Sequence, residues 1–575
     1  MDNPEKLTEG LSRRSFLGLG AAAAAVVAGS GLVGCAQSAD AEDAKDNSAK
    51  NASATKDEPT SSDWLGQAPE IDNIASTEET EVLVIGAGTA GLFAAASAAE
   101  EGAKVICVEK FSVGGGIRDN IGSLNSRLQK EYGADAEINE VDFLNDLMRY
   151  SSNNCNPLLY KIWMKNSGEA VDWYQDRVEE RGYELFYEAD LKHLETRYKH
   201  WATGHIPSWP ADAEFAGIEV ELNGNGVCYD YGVSVGVDFR YSTPMIKLVT
   251  EGDRVSGAIV QTEDGDYIQI NASKGVVVAC GGYARSEEML TALQPQTLRK
   301  YSSNISNAGT EGDGIRACMW VGAAMDDVHT AMCFDRVAVK PDEVGGYETK
   351  GTLFWMGSNP WLKVNLNGER FCNESAPYDY VLNSALTQPS NTFCNIWDSD
   401  WATYLEQFDI HGCARVYPFD NGAPVNIPFE AIGPMNEGLL ADGYIQQADT
   451  IEELAEKLNI PADTLKATVD RQNENFAAGS DPDFGKETHR LSAIQNPPFF
   501  GVRTSGYMLC TLDGITINEE FQAVRPDGSA IEGLYVAGVD SGSYYGHTYP
   551  NMSTGHCAGR SVTFARMIGK ALAAK

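Results

Sequence analysis

Three glycines carry the clearest chemistry in this chain. The run Gly86-Ala87-Gly88-Thr89-Ala90-Gly91 has the spacing of a dinucleotide-binding turn. Gly86 permits the tight turn, Gly88 lets a diphosphate approach the backbone, and Gly91 lets a helix pack closely on its strand. The N–H groups and positive dipole end of the helix that starts there would receive the phosphates. Glu109, about twenty residues on, has a carboxylate suited to accept hydrogen bonds from the adenosine ribose hydroxyls. Taken alone, the pattern admits either NAD or FAD.

The elements that must position these residues are legible around them. Glu81–Ile85 reads as a buried strand and the Ala-rich Leu92–Glu101 as a helix with Gly102 at its C-cap. Lys104–Val108 reads as a second strand ending in Glu109. Three further glycine motifs follow: Gly114-Gly115-Gly116, the apolar Val276–Cys280 leading into Gly281-Gly282, and Gly309-Thr310-Glu311-Gly312-Asp313-Gly314 ahead of a helix. A last one, Gly533-Leu534-Tyr535-Val536-Ala537-Gly538-Val539-Asp540, lies near the C-terminus.

Composition narrows the class. A chain of 575 residues with 43% hydrophobic residues is expected to hold three or so globular units. Its formal net charge of −38 argues against nucleic acid as a partner, because phosphates would be repelled. The 12 cysteines show no CxxC, CxxCH or zinc spacing, so no c-type haem, iron–sulfur run, metal site or disulfide framework is expected.

The N-terminus reads as an address. Ser12-Arg13-Arg14-Ser15-Phe16-Leu17, followed by a weakly apolar stretch to Val33, resembles a twin-arginine export signal. Glycines at 18, 20, 29, 31 and 34 argue against a transmembrane anchor. Leu32-Val33-Gly34-Cys35 has the form of a lipobox, which would put a lipid on Cys35; cleavage near Ala39-Asp40-Ala41 is the alternative. Residues 1–34 are thus a signal with lipobox, and 35–79, rich in Ala, Ser, Asp and Lys, a disordered linker.

The order of the glycine motifs resembles the fumarate reductase/succinate dehydrogenase flavoprotein family and its relatives, the 3-ketosteroid dehydrogenases and urocanate reductase. The resemblance runs over nearly all of the chain from residue 80. It includes Ile451–Leu458 and the Gln472–Asn475 and Asp481–Gly485 stretches, which look like the family's cap helices. It decides for non-covalently bound FAD. The fold it implies is α/β: a Rossmann-like FAD-binding domain, 80–328 and 508–575, interrupted by an α+β capping and substrate domain, 329–507. It further implies that Gly115, Gly116, Gly281, Gly282, Asp313 and Gly314 line the cofactor, with Gly538 and Asp540 in the last motif. Val539 stands where relatives have Glu or Asn.

The same resemblance assigns the chemistry. Tyr378 lies four residues past the Glu of Gly368-x-Arg370-Phe371-x-Asn373-Glu374, where fumarate reductases carry a proton-donating Arg; a phenol there is expected as general acid, or as base in reverse. Tyr549, in Gly546-His547-Thr548-Tyr549-Pro550, matches the ketosteroid dehydrogenase segment whose hydroxyl holds a substrate carbonyl, together with a backbone N–H that would here be Ser553. Relatives have Gly at Asn551 and Ser553. His329 sits where fumarate reductase relatives have a substrate His, a hinge histidine being the other reading, and the family's second substrate His is replaced near Cys510-Thr511. His547 and His556 are expected to be packed or solvated.

An exported FAD enzyme that reduces an enone or acrylate-type acceptor in anaerobic respiration is therefore expected. A dehydrogenase introducing the double bond is the alternative, and a solute-binding lipoprotein the alternative of another class. The chain carries no haem motif of its own, so its electrons would come from a separate cytochrome or quinol-linked protein, with a lipid anchor holding it at the membrane.

Overall fold

A computed structural model describes residues 63–116, 120–189, 196–208, 225–408, 411–412, 414–416, 427 and 429–575. The expected signal and lipobox lie outside the described residues, as does the linker up to residue 62. The rest of that linker is anchored at both ends, although residues 66–79 stay largely exposed. Trp64 is buried in the main core, Arg316 and Trp320 donate to the carbonyls of Trp64 and Leu65, and from Ser76 the backbone is already a strand. An indole is too large an apolar surface to leave in water when a groove beside it can take it.

The first sheet grows from the Val/Ile runs. Strand β1 (Ser76–Ile85) leads through the Gly86 turn into helix α1 (Thr89–Glu100), which returns to strand β2 (Val105–Val108). β1 pairs in parallel with β2, Val82 opposite Val105, and on its other side with strand β3 (Tyr267–Val278), Ile85 opposite Val278. The Ala530–Val536 strand, more than 250 residues downstream, adds to β3 in parallel, Leu534 opposite Val276. Such near-continuous apolar strands must be covered on both faces. One cover is α1 with the C-terminal helix; Gly569 allows their approach, since a Cβ there would strike the Ala94 carbonyl oxygen.

Among the described residues a second, seven-stranded sheet forms the cap. Its spine is strand β4 (Ala331–Val339), buried throughout, antiparallel to the long strand β5 (Phe499–Thr511). Phe393–Trp397 and Ile445–Ala448 also pair with β5. Ile451–Leu458, capped by Thr450 at one end and left-handed Asn459 at the other, and Ala462–Ala478 set Leu454, Leu458, Leu465 and Val469 against Leu362 and Ile396. The sheet reaches beyond the expected 329–507 boundaries. It recruits Tyr301–Asn304 from before residue 329, parallel to β5, and β5 itself runs on to Thr511. The two domains thus share strands near residues 301 and 511. No helix among the described residues is long and apolar enough to cross a membrane.

Candidate active site

The glycine turn is built as a cradle. Gly86 has a left-handed φ of +98°, and a Cβ on it would strike the Ala279 carbonyl; one on Gly91 would strike the Gly86 carbonyl. Both glycines are therefore required by packing alone. Gly88 differs: the nearest atom to a Cβ there would be the Gly115 carbonyl oxygen at 3.7 Å, so the space before it is open. Gly88 is the N-cap of α1 and no side chain caps the helix. Thr89 Oγ1, at that N-terminus, is buried without a partner. Uncapped N–H groups and an orphaned buried hydroxyl in one place fit a bound diphosphate. Ala90 is buried at the start of α1, and a Cβ on Gly538 (φ +63°) would lie 2.9 Å from the Ala90 Cβ.

Glu109 closes the cradle from β2. Its carboxylate accepts the Ala87 N–H at 2.8 Å and the Phe111 N–H at 3.1 Å, which fixes it beside the turn. Gly115 and Gly116 lie across the opening. Asn225 Nδ2 donates to the Gly115 carbonyl at 2.8 Å, and a side chain on Gly116 would collide with Asn225. Asp313 begins the Asp313–Trp320 helix and pairs with Lys110 at 2.7 Å.

Two of the expected cofactor residues have structural roles of their own. The Asp540 carboxylate accepts the backbone N–H groups of Cys280, Gly281 and Gly282, the last two at 3.0 Å. It is wholly buried, and burial pushes its acid up to about 6 against those donors. Asp540 thus shapes the left-handed Gly281-Gly282 turn (φ +91° and +78°). Gly314 is a packing glycine, because a Cβ on it would stand 2.8 Å from Val278 Cγ1. Val539 lies against Gly282, whose Cβ would come 2.9 Å from Val539 Cγ1.

The chemistry-bearing residues approach from the cap. Tyr378 opens helix α2 (Tyr378–Ala385) after Pro377, which preorganises the first turn. The signature upstream is an ion cluster. Arg370 makes two-pronged contacts to Glu374 and Asp481 at 2.7–3.0 Å, and buried Lys486 stands 3.5 Å from Glu374, its own acidity brought to about 8 by burial. This cluster fixes the loop that delivers Tyr378. The Tyr378 ring is fully buried, its centroid 5.4 Å from Phe334 and from His411, with the Arg336 guanidinium 5.3 Å away. Its hydroxyl donates to the His411 carbonyl.

Tyr549 meets this group from the other domain. Its hydroxyl oxygen accepts the Cys557 N–H at 2.9 Å. Its backbone N–H donates to Asp379 Oδ2 at 3.3 Å, while Asp379 Oδ1 accepts the Cys333 N–H at 3.3 Å. Asp379, next to Tyr378, therefore ties α2 and β4 of the cap to the Tyr549 loop. Gly412 (φ +54°) closes over both: a Cβ there would be 2.9 Å from the Tyr378 hydroxyl and 2.8 Å from the Asn551 carbonyl oxygen.

The remaining expectations fare differently. His329 Nδ1 lies 2.7 Å from Asp513 Oδ2, which also accepts the Tyr283 hydroxyl at 2.6 Å; this network adjoins the Gly281-Gly282 turn and involves neither tyrosine. Ser553 is not an available donor. Its N–H donates to the Pro550 carbonyl at 2.8 Å, because Pro550–Ser553 folds into a turn, and its hydroxyl meets His556 Nδ1 and Thr203. His556 is buried, its imidazole brought down to about 3 by burial and next by Arg560, and packs on Trp163; His547 is exposed. Sequence reasoning missed Arg560. This buried guanidinium donates to the Gly538 and Ser541 carbonyls at 3.1 and 2.5 Å and lies about 5 Å from Tyr544 and Tyr545, holding the last motif in place. The sequence signal was a charged side chain, Arg560, in the largely apolar first half of the C-terminal helix, which carries Arg566 and Lys570 further on.

Residues 81–555 match the family model described as FAD binding domain. The chain belongs to this family. Vinyl phenol reductase of Lactiplantibacillus plantarum is 27% identical over 86% of this chain and 97% of its own length. Probable fumarate reductase Ifc3 of Shewanella frigidimarina is 27% identical over 86% and 74%. A 3-oxosteroid 1-dehydrogenase of Mycobacterium tuberculosis is 31% identical over 57% and 58%. Among solved structures, 3-ketosteroid Δ1-dehydrogenase from Sterolibacterium denitrificans superposes with a TM-score of 0.66 at 20% identity, covering 86% of this chain and all of that one. That likeness shows the fold. As a flavoprotein of this family, the chain would hold the FAD diphosphate at Gly88 and Thr89, the ribose at Glu109, and the flavin end along Gly281-Gly282.

Proposed function

We propose that this flavoprotein moves a hydride between FAD and a carbon–carbon bond next to an electron-withdrawing group, working as a reductase of an enone or acrylate-type acceptor. When bound, FAD supplies the two-electron carrier. The protein's own residues do the rest. Tyr378 gives a proton to the carbon beside the activating group, and Arg336 near its ring favours the phenolate left behind. Tyr549 donates to the activating oxygen, where negative charge develops; the Cys557 N–H on its oxygen strengthens that donation. Gly412 and the buried rings of Phe334 and Tyr378 exclude water.

The observation that carries this reading is the junction at Asp379 and Gly412, which joins the Tyr378 and Tyr549 segments across the domain boundary. The twin-arginine pattern and lipobox support export to the outer face of the membrane, and a separate cytochrome or quinol-linked protein as electron donor. The relatives named for reductases of fumarate and vinyl phenol support reduction. The 3-oxosteroid 1-dehydrogenase relative, and the resemblance of Thr548-Tyr549-Pro550 to the ketosteroid dehydrogenase segment, favour a second reading, in which the same residues introduce the double bond. Anaerobic oxidation of a reduced dye, screened against unsaturated acids, enones and vinyl arenes, tests the proposal. Turnover with one acceptor class supports it. Turnover only in reverse, with a saturated ketone and an oxidising dye, favours the second reading.

A further inference from the structure

Asn551 is fully buried, and both polar atoms of its carboxamide, Oδ1 and Nδ2, lie without a hydrogen-bond partner. Its backbone is fixed on both sides. The N–H donates to the Tyr549 carbonyl at 2.8 Å, and the carbonyl oxygen lies under Gly412 beside the Tyr378 hydroxyl. Burying a whole amide with neither end satisfied is costly, because the unfolded chain gives both ends to water. Such a group inside an active site marks the place where a ligand completes the bonding. Aromatic rings are gathered on the segments it adjoins: the Tyr545 centroid is 5.6 Å from that of Tyr549, two residues before Asn551, and Phe334 packs on Tyr378.

The carboxamide offers a donor and an acceptor together. A carbonyl or carboxylate would satisfy Nδ2 alone and leave Oδ1 facing another oxygen. A hydroxyl satisfies both. The charges around the site offset one another, the Asp379 carboxylate on the Tyr549 N–H side and the Arg336 guanidinium on the Phe334–Tyr378 side, so the hydrogen-bonding pattern of the carboxamide decides. We propose that Asn551 is the specificity residue of this site and that it selects a neutral hydroxyl carried on an aromatic ring, Nδ2 donating to the hydroxyl oxygen and Oδ1 accepting its proton. This rests on the substrate lying between Tyr378 and Tyr549, as in the proposed function.

The test uses FAD-loaded protein and three unreactive saturated probes: 4-ethylphenol, ethylbenzene and 4-ethylbenzoate. Their binding is read from the flavin absorbance. Wild type should bind 4-ethylphenol about 10-fold or more tightly than ethylbenzene, the worth of two neutral hydrogen bonds. Asn551→Leu, which keeps the branched shape without polar atoms, should bring that ratio close to one, with FAD content unchanged. Asn551→Ser, which keeps a donor and an acceptor, should restore part of the preference. If Asn551→Leu does not load FAD, Asn551→Ala takes its place. The inference is overturned by a hydroxyl preference that survives loss of the carboxamide, by wild type showing none, or by tightest binding of 4-ethylbenzoate. Alkene reduction with no hydroxyl preference would overturn this inference alone, and hydroxyl-selective binding with no alkene reduction would overturn only the proposed function.

Discussion

Replacing Tyr378 with Phe removes one oxygen from a ring that is fully buried and packed between Phe334, His411 and Arg336. The ring contacts survive, so packing is unchanged. The structural loss is the hydroxyl's bond to the His411 carbonyl, worth about 1 kcal/mol. The chemical loss is larger, because a positioned general acid contributes about 10²- to 10⁴-fold to rate. The two effects separate in rapid-mixing experiments under anaerobic conditions. FAD content and flavin reduction by an artificial donor should match wild type, and the unfolding midpoint should move little. Reoxidation of the flavin by an unsaturated acceptor should slow by about two orders of magnitude or more. Acceptor-driven reoxidation within threefold of wild type would refute the assignment of the proton to Tyr378.

Glu109→Ala leaves the Ala87 and Phe111 N–H groups without their carboxylate and should weaken FAD retention by about 10-fold or more, measured as flavin lost on gel filtration; unchanged content would show that the ribose lies elsewhere. Arg370→Met takes the guanidinium from two buried carboxylates, Glu374 and Asp481, leaving Lys486 and backbone N–H groups as their partners, and should destabilise the protein by about 3 kcal/mol in urea titration; adding Glu374→Gln should recover part of the loss, and a midpoint equal to wild type would contradict the ion-cluster account. Burial pushes Asp379 up to about 6, against about 3.9 in an unfolded chain. The native state then holds the extra proton between about pH 4 and 6, so this group's contribution to stability is greatest below that window, falls as pH rises through it, and is level above about 6. Melting temperatures of Asp379→Asn should lack that part of the slope, and parallel profiles for variant and wild type would exclude it.

What could be read ahead of the fold was whatever is set by local sterics. Gly86 and Gly91 are required by carbonyls of the adjoining turn and strand, and Glu109 follows from the length of one strand–helix–strand unit, so spacing alone located them. Tyr378 and Tyr549 came from motif position, and no periodicity would have brought Tyr549 to the Asp379 side chain, 170 residues away. Long-range pairing was harder to see. Asp540 was placed at the cofactor from its motif, and nothing in that motif announces that its carboxylate accepts backbone N–H groups some 260 residues earlier. Tyr301–Asn304 joins the cap sheet because β5 offers it an open edge, which nothing in those four residues announces. Ser553 was assigned as a donor from its offset to Tyr549, but the turn after Pro550 consumes its N–H. Trp64 shortened the linker because one buried indole outweighs the polar composition around it.

The central claim is that reduced FAD in this protein delivers its electrons to an activated carbon–carbon double bond. The most direct measurement mixes the photoreduced holoenzyme, free of oxygen and dyes, with one equivalent of an unsaturated acceptor while recording the flavin spectrum and the product. The account requires the oxidised flavin bands to return with one saturated product formed per flavin. A flavin that stays reduced against every enone, acrylate and vinyl arene, yet reoxidises with a dye, would contradict it.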